Sequence, residues 1–203
     1  MRLPNAEHES HAWRICDIAP DFRLEDVWAL PAQGGADDFT KLLEVMASLD
    51  PANGASRATR VLFRIRLCLG GWFGWDDDAA DLPVPGKTET TLSVRLPEDL
   101  RNTARNLELS STSFTPLYRT DTEWAAELSN RTVHAVLHLA WIDQGAGRYR
   151  GQMGVYVKPR GPFGAGYMAL IAPFRHRIVY PALMRQIEQA WNVRMAQRPP
   201  AEL

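Results

Sequence analysis

The chain has 203 residues, 45% of them hydrophobic and 23% charged, which is enough for one substantial core and short for two. Its formal net charge of -1 lacks the concentrated basic excess on which phosphate-backbone binding depends, so no nucleic-acid partner is expected. Cys16 and Cys68 are too few for a disulfide framework or a zinc site, and they read as small buried hydrophobes in a reducing compartment.

Met1 to Ser10 has no basic end followed by an apolar run, so no secretory leader is read there and a cytoplasmic location is expected. Ala12 to Ile18 reads as a first strand, closed by the turn signal Ala19-Pro20-Asp21. A short helix is expected through Leu24, Val27, Trp28 and Leu30. Asp38 can cap the next helix, whose Phe39, Leu42, Leu43, Met46 and Leu49 share one face before Asp50-Pro51 ends it.

Ser56 opens a third helix, with Ala58, Val61, Leu62, Ile65, Leu69, Trp72 and Phe73 as its stripe and Arg57, Arg60 and Arg64 opposite. Val61 to Trp75 is interrupted by Arg64 and Arg66 and is shorter than the ~20 residues a bilayer requires, so no membrane span is expected. Asp76 to Gly86 is acidic, then rich in proline and glycine, and reads as a surface loop. Its aspartates lack calcium-loop spacing.

The period then changes from helical to alternating. Thr90, Leu92, Val94 and Leu96 read as one face of a half-buried strand, and shorter strands follow around Phe114 to Thr120 and Trp124 to Leu128. Val133 to Ile142 is the clearest strand, with Val133, Ala135, Leu137, Leu139 and Trp141 on one face. Gln144-Gly145-Ala146-Gly147 turns the chain into a partner strand through Tyr149, Met153, Val155 and Val157. After a glycine-rich turn at Gly161 to Gly166, Tyr167, Leu170, Ile171, Phe174 and Ile178 fall at helical spacing. Leu183, Ile187, Ala190 and Trp191 continue the helix on a shifted face, and Pro173 and Pro181 should bend or divide it.

A strand, then helices, then a run of antiparallel strands and a long terminal helix resembles the START-like helix-grip superfamily, also called SRPBCC. More narrowly, the stretches Glu123-Trp124-Ala125-Ala126-Glu127-Leu128-Ser129-Asn130-Arg131-Thr132-Val133-His134 and Pro173-Phe174-Arg175-His176-Arg177-Ile178-Val179-Tyr180-Pro181 are similar to a bacterial family of domains of unknown function placed in that superfamily. The resemblance implies a single α+β domain over residues 1–203, with a curved antiparallel sheet wrapped around a long C-terminal helix and additional helices in the N-terminal half. It implies a ligand cavity between sheet and helix and transfers no catalytic motif.

Several constellations invite chemistry. His134 and His138 fall on one face of a strand but ~13 Å apart, too far to share an ion. Glu123 and Glu127 are separated in the same way, and their alternates Trp124 and Leu128 fit the buried face better, so the two carboxylates read as a solvated edge. His8-Glu9-Ser10-His11 has one residue too few between its histidines for a zinc-protease motif. Gly161 to Gly166 matches neither phosphate-binding fingerprint, and the aromatic end of the third helix reads as packed on its own domain.

The resulting expectation is binding of a hydrophobic small molecule between the sheet and the C-terminal helix. Its candidate pocket residues are Leu92, Tyr118, Leu137, His138, Leu139, Trp141, Met153, Val155, Leu170, Phe174 and Arg175. No metal and no cofactor are expected. The alternatives are a cyclase, hydrolase or isomerase using a cavity Glu or His, and a homodimeric interaction module.

Overall fold

A computed structural model describes residues 1–49, 91–103, 114–129 and 133–197. The expected helix after Ser56, Cys68 and the acidic loop lie outside these residues. The strands β1 (Arg2–Leu3), β2 (Arg23–Gly34), β3 (Thr115–Arg119), β4 (Glu123–Ser129), β5 (Val133–Asp143) and β6 (Tyr149–Pro159) form one six-stranded sheet in the order β1-β2-β6-β5-β4-β3. Every neighbouring pair is antiparallel. The helices are α1 (Asn5–Glu9), α2 (Arg14–Ile18), α3 (Phe39–Ser48), α4 (Gly161–Phe174) and α5 (Tyr180–Ala196).

The hairpin β5–β6 forms as its alternation requires, and its turn places Gly145 and Gly147 at φ +82° and +70°, where a side chain is disfavoured. The sheet is covered on both faces. Against one face pack α3 and α5, where Leu42, Ile187 and Trp191 meet Trp28, Leu139, Trp141 and Met153. Against the other lie Ile15 and Ile18 of α2 with Leu92, closing over Val27, Tyr118, Val136 and Tyr156. The α+β arrangement with a long C-terminal helical segment on the sheet is as expected.

Several local expectations are corrected. Leu24 to Leu30 is strand rather than helix, paired with β6 in a register that slips between Leu24 and Asp26. This bulge turns Leu24 and Val27 to one core cluster and Trp28 and Leu30 to the other, which sets Leu24, Val27 and Trp28 at a spacing that mimics a helical face. The supposed first strand is the single-turn helix α2, whose buried Ile15 and Ile18 lie one turn apart. Leu92–Arg95 is a 3-10 turn rather than a strand: the Thr91 hydroxyl accepts from the Ser93 amide, and Val94 is exposed.

The residues read as a glycine-rich turn after β6 already belong to α4. Cys16, expected inside, is exposed. Pro173 and Pro181 do not break the terminal helix. Between them α4 passes into a π-helical turn at Arg175–Val179 and on into α5, a wider turn that absorbs the lost amide donors.

Candidate functional site

Strand register decides which candidate residues meet. On the helix-facing side, Ala126 lies opposite Leu137, Leu137 opposite Val155, and Val155 opposite Asp26, a row that crosses four strands. Leu139 and Met153 on one side of this row, and Ala135 and Val157 on the other, are buried. Leu137 and Val155 between them are only partly buried. Helix α4 lies over this region through Met168 and Ile171, which pack with Val155 and Val157. On the same helix Leu170 and Phe174 are 72% and 51% exposed. The helix–sheet interface is therefore filled where Trp28, Trp141 and Trp191 meet, and incompletely covered at Leu137 and Val155.

At the end of that row sits Asp26, with no exposed surface. The β2 bulge turns it toward the π-helical turn, where His176 Nε2 lies 2.5 Å from Oδ1, Arg175 Nη2 lies 2.8 Å from Oδ2, and the Tyr180 hydroxyl donates to Oδ2 at 3.2 Å. Arg2 approaches from β1 at 3.5 Å. Burial, then the Asp26 charge, pushes the Tyr180 phenol above its ordinary pKa, so it remains a donor. A buried carboxylate with this many donors satisfies the requirement that an interior charge be paired and hydrogen-bonded.

The opposite face carries a second polar assembly. Glu123 and Glu127 are buried, not solvated, because the N-terminal segment and the 3-10 turn cover this face as fully as the helices cover the other. Glu123 Oε2 accepts from the Tyr118 hydroxyl at 2.9 Å and the Arg14 amide at 3.0 Å, and lies 3.2 Å from His138 Nε2. Glu127 Oε2 accepts from the Leu92 amide at 2.9 Å and lies 2.8 Å from His134 Nε2, while Oε1 accepts from the Thr91 hydroxyl. Burial alone would raise the pKa of Glu127, but His134, Thr91 and the Leu92 amide outweigh it and hold the carboxyl below the ordinary value. Burial, followed by the Glu123 charge, drives the Tyr118 phenol upward.

Beside His138, His8 of α1 is wholly buried, its Nδ1 paired with Gln152 Oε1 and its ring centroid 5.1 Å from that of His138. Burial and the neighbouring His138 push the His8 pKa down to about 3, against the opposing bond to Gln152. Burial also lowers that of His138, despite Glu123. His8 stands on Gly154, where an added Cβ would come within 2.9 Å of its Nε2. Gly154→Ala is expected to cost about 1–3 kcal/mol by overpacking and to hasten proteolysis within α1. Urea unfolding at the wild-type midpoint, with unchanged cleavage, would show that His8 gives way freely.

The predicted pocket residues thus divide. Leu137, Val155 and Arg175 meet near the incompletely covered row, with Leu170 and Phe174 exposed on α4. Leu139, Trp141 and Met153 lie in filled core, where Trp141 Nε1 donates to the Gly35 carbonyl. Leu92, Tyr118 and His138 belong to the opposite face. A groove of ≈ 390 Å³ between α3 and α5, lined by Val45, Ala190 and Val193 among others, contains none of them. His11 stacks on Trp13 at the surface while His8 is buried, so the two do not form a metal pair. No group of three or more metal-ligating side chains occurs among the described residues.

Asp26, His176 and Gln152 were not among the residues read from the sequence as site candidates, and His8 was weighed only as half of a zinc motif. The matched four-residue spacings of Glu123 and Glu127 on β4 and His134 and His138 on β5 were the available signal for the second assembly, since adjacent antiparallel strands bring such pairs to diagonal positions on one face: His138 lies opposite Ala125 and His134 opposite Ser129, each two residues from its glutamate. Among the described residues no helix is long and apolar enough to cross a membrane. A family model described as "Protein of unknown function (DUF2867)" matches residues 18–182. No curated protein and no solved structure matches.

Proposed function

The chain belongs to the DUF2867 family of proteins of unknown function, and from the geometry of this member we propose that it binds a hydrophobic small molecule between the sheet and α4. The observation that carries the proposal is the Leu137–Val155 pair, partly accessible at the middle of a face whose flanking pairs are buried. An apolar molecule entering there would remove both side chains and itself from water, gaining about 25 cal/mol per Å² of apolar surface. Convergent polar groups at one end of an apolar site are the usual means of fixing orientation, and Asp26, Arg175 and His176 occupy that end. The resemblance to START-like domains points to the same space.

Binding is favoured over catalysis by either Glu–His pair because both pairs lie on the other face and are buried. The test is titration of the purified full chain with N-phenyl-1-naphthylamine, an uncharged apolar fluorophore, together with a Val155→Phe variant that fills the partly covered position. Saturable binding to the wild-type chain, weakened about tenfold or more in a folded Val155→Phe, is expected. No saturable signal, or equal affinity in the two proteins, would remove this location. Native mass spectrometry with organic extraction would identify a ligand carried through purification.

A further inference from the structure

We propose that the ligand of this crevice is a neutral apolar molecule bearing a hydrogen-bond acceptor, a carbonyl or hydroxyl oxygen, which takes the Arg175 Nε–H. The inference rests on the crevice reading and adds the polar half of the ligand. Asp26 is the cross-strand neighbour of Val155, and Asp26 Oδ2 fixes Arg175 Nη2 at 2.8 Å, so the guanidinium is held at the end of the apolar row.

A guanidinium presents donors from Nη1, Nη2 and Nε in a fixed plane and accepts nothing. Nη2 is engaged by Asp26, with Glu25 Oε2 at 4.0 Å. Nη1 points at the Met168 sulfur at 4.0 Å, a weak acceptor. Nε is buried and has no partner among the described residues. A buried donor on a charged group without a partner is costly, and an incoming oxygen would relieve that cost. Met168 is the adaptable element beside it: it is buried in the Val133, Ala135 and Val157 cluster, and its unbranched thioether can repack without disturbing the helix backbone.

Charge selects a neutral acceptor. Asp26 and Glu25 both lie at Nη2, on the same edge of the guanidinium as Nε–H, at 2.8 and 4.0 Å, and they are shared with Arg2, His176 and Arg23. A carboxylate placed at Nε would face two existing carboxylates, and a cation would face the guanidinium itself. A ketone, ester or alcohol oxygen meets neither penalty.

Displacement of N-phenyl-1-naphthylamine from the full chain by three probes of equal length tests this: 2-nonanone, nonane and nonanoate. The ketone should displace the dye at about tenfold lower concentration than nonane and should also outcompete nonanoate, the expected margin for one hydrogen bond to a charged donor. In Arg175→Lys, which keeps the positive charge beside Asp26 and removes the planar Nε–H, the ketone preference over nonane, each measured against that variant's own dye affinity, should fall below about threefold. Equal displacement by ketone and hydrocarbon in the wild-type chain would overturn the proposal, as would a preference for nonanoate or a ketone preference that survives in a folded Arg175→Lys. If the variant does not fold, the wild-type comparison decides alone. Failure of the dye itself to bind would instead overturn the crevice reading.

Discussion

Asp26→Ala is expected to lower the unfolding free energy by about 3–5 kcal/mol, read from the urea midpoint at pH 7. The change leaves the Arg175 guanidinium largely buried without its nearest carboxylate, and it removes the acceptor of the Tyr180 hydroxyl. Uncompensated interior charge, more than the lost attraction, sets the size of the effect. Arg2→Ala provides the internal comparison, because Arg2 is 51% exposed and 3.5 Å from the same carboxylate. Exposed ion pairs contribute about 0–1 kcal/mol, so that variant should unfold close to wild type. A loss below about 1 kcal/mol for Asp26→Ala would mean that solvent reaches Arg175 freely and that the network is not an interior one.

Acid should destabilise the protein well above the pH at which carboxylates titrate. The folded-state pKa of His8 is depressed to about 3, and that of His138 is also lowered, from an ordinary value of 6.5 for each. The unfolded chain therefore takes up protons as pH falls below 6.5 while the folded chain does not. Stability is fully present above that value and is lost progressively below it. A histidine that stays neutral in the fold contributes a slope of about 1.4 kcal/mol per pH unit, and for His8 the loss continues to pH about 3, amounting to about 5 kcal/mol. Glu127 and Asp21 are depressed carboxylates, so their contributions disappear in a lower window, below the ordinary values of 4.5 and 3.8. Urea unfolding at intervals from pH 7 to 5 isolates the histidines. His8→Asn should reduce the slope there by about 1 kcal/mol per pH unit, and an unchanged slope would show that His8 is not neutral in the folded state.

Where one face of an element meets one environment, its residues could be placed from the chain alone. The β5–β6 hairpin and α3 are such cases, with Leu137, Leu139 and Trp141 on one side of β5 and Phe39, Leu42 and Leu43 buried on α3. The Glu123 and Glu127 assignment went astray because alternation was taken to mean one wet face, whereas this sheet is covered on both. In β2, an extra residue at the bulge disguised a strand as a helix. The site suffered most from distance in the chain. Asp26 and His176 are separated by 150 positions, and no periodicity within either segment announces the other. The stretch from Pro173 to Pro181, by contrast, carried the family resemblance and does supply Arg175, His176 and Tyr180 to the Asp26 network.

The docking of His8 onto Gln152 and Gly154 bears on the order in which the chain can be assembled during synthesis. His8 leaves the ribosome 144 positions ahead of its partner Gln152. β2 pairs with β6 rather than with a neighbour in sequence, so it too waits for most of the chain. Until β6 emerges, the segment from Arg2 to Leu30 has no sheet to join, and its Ile15, Ile18, Val27 and Trp28 remain available to chaperones and to other nascent chains.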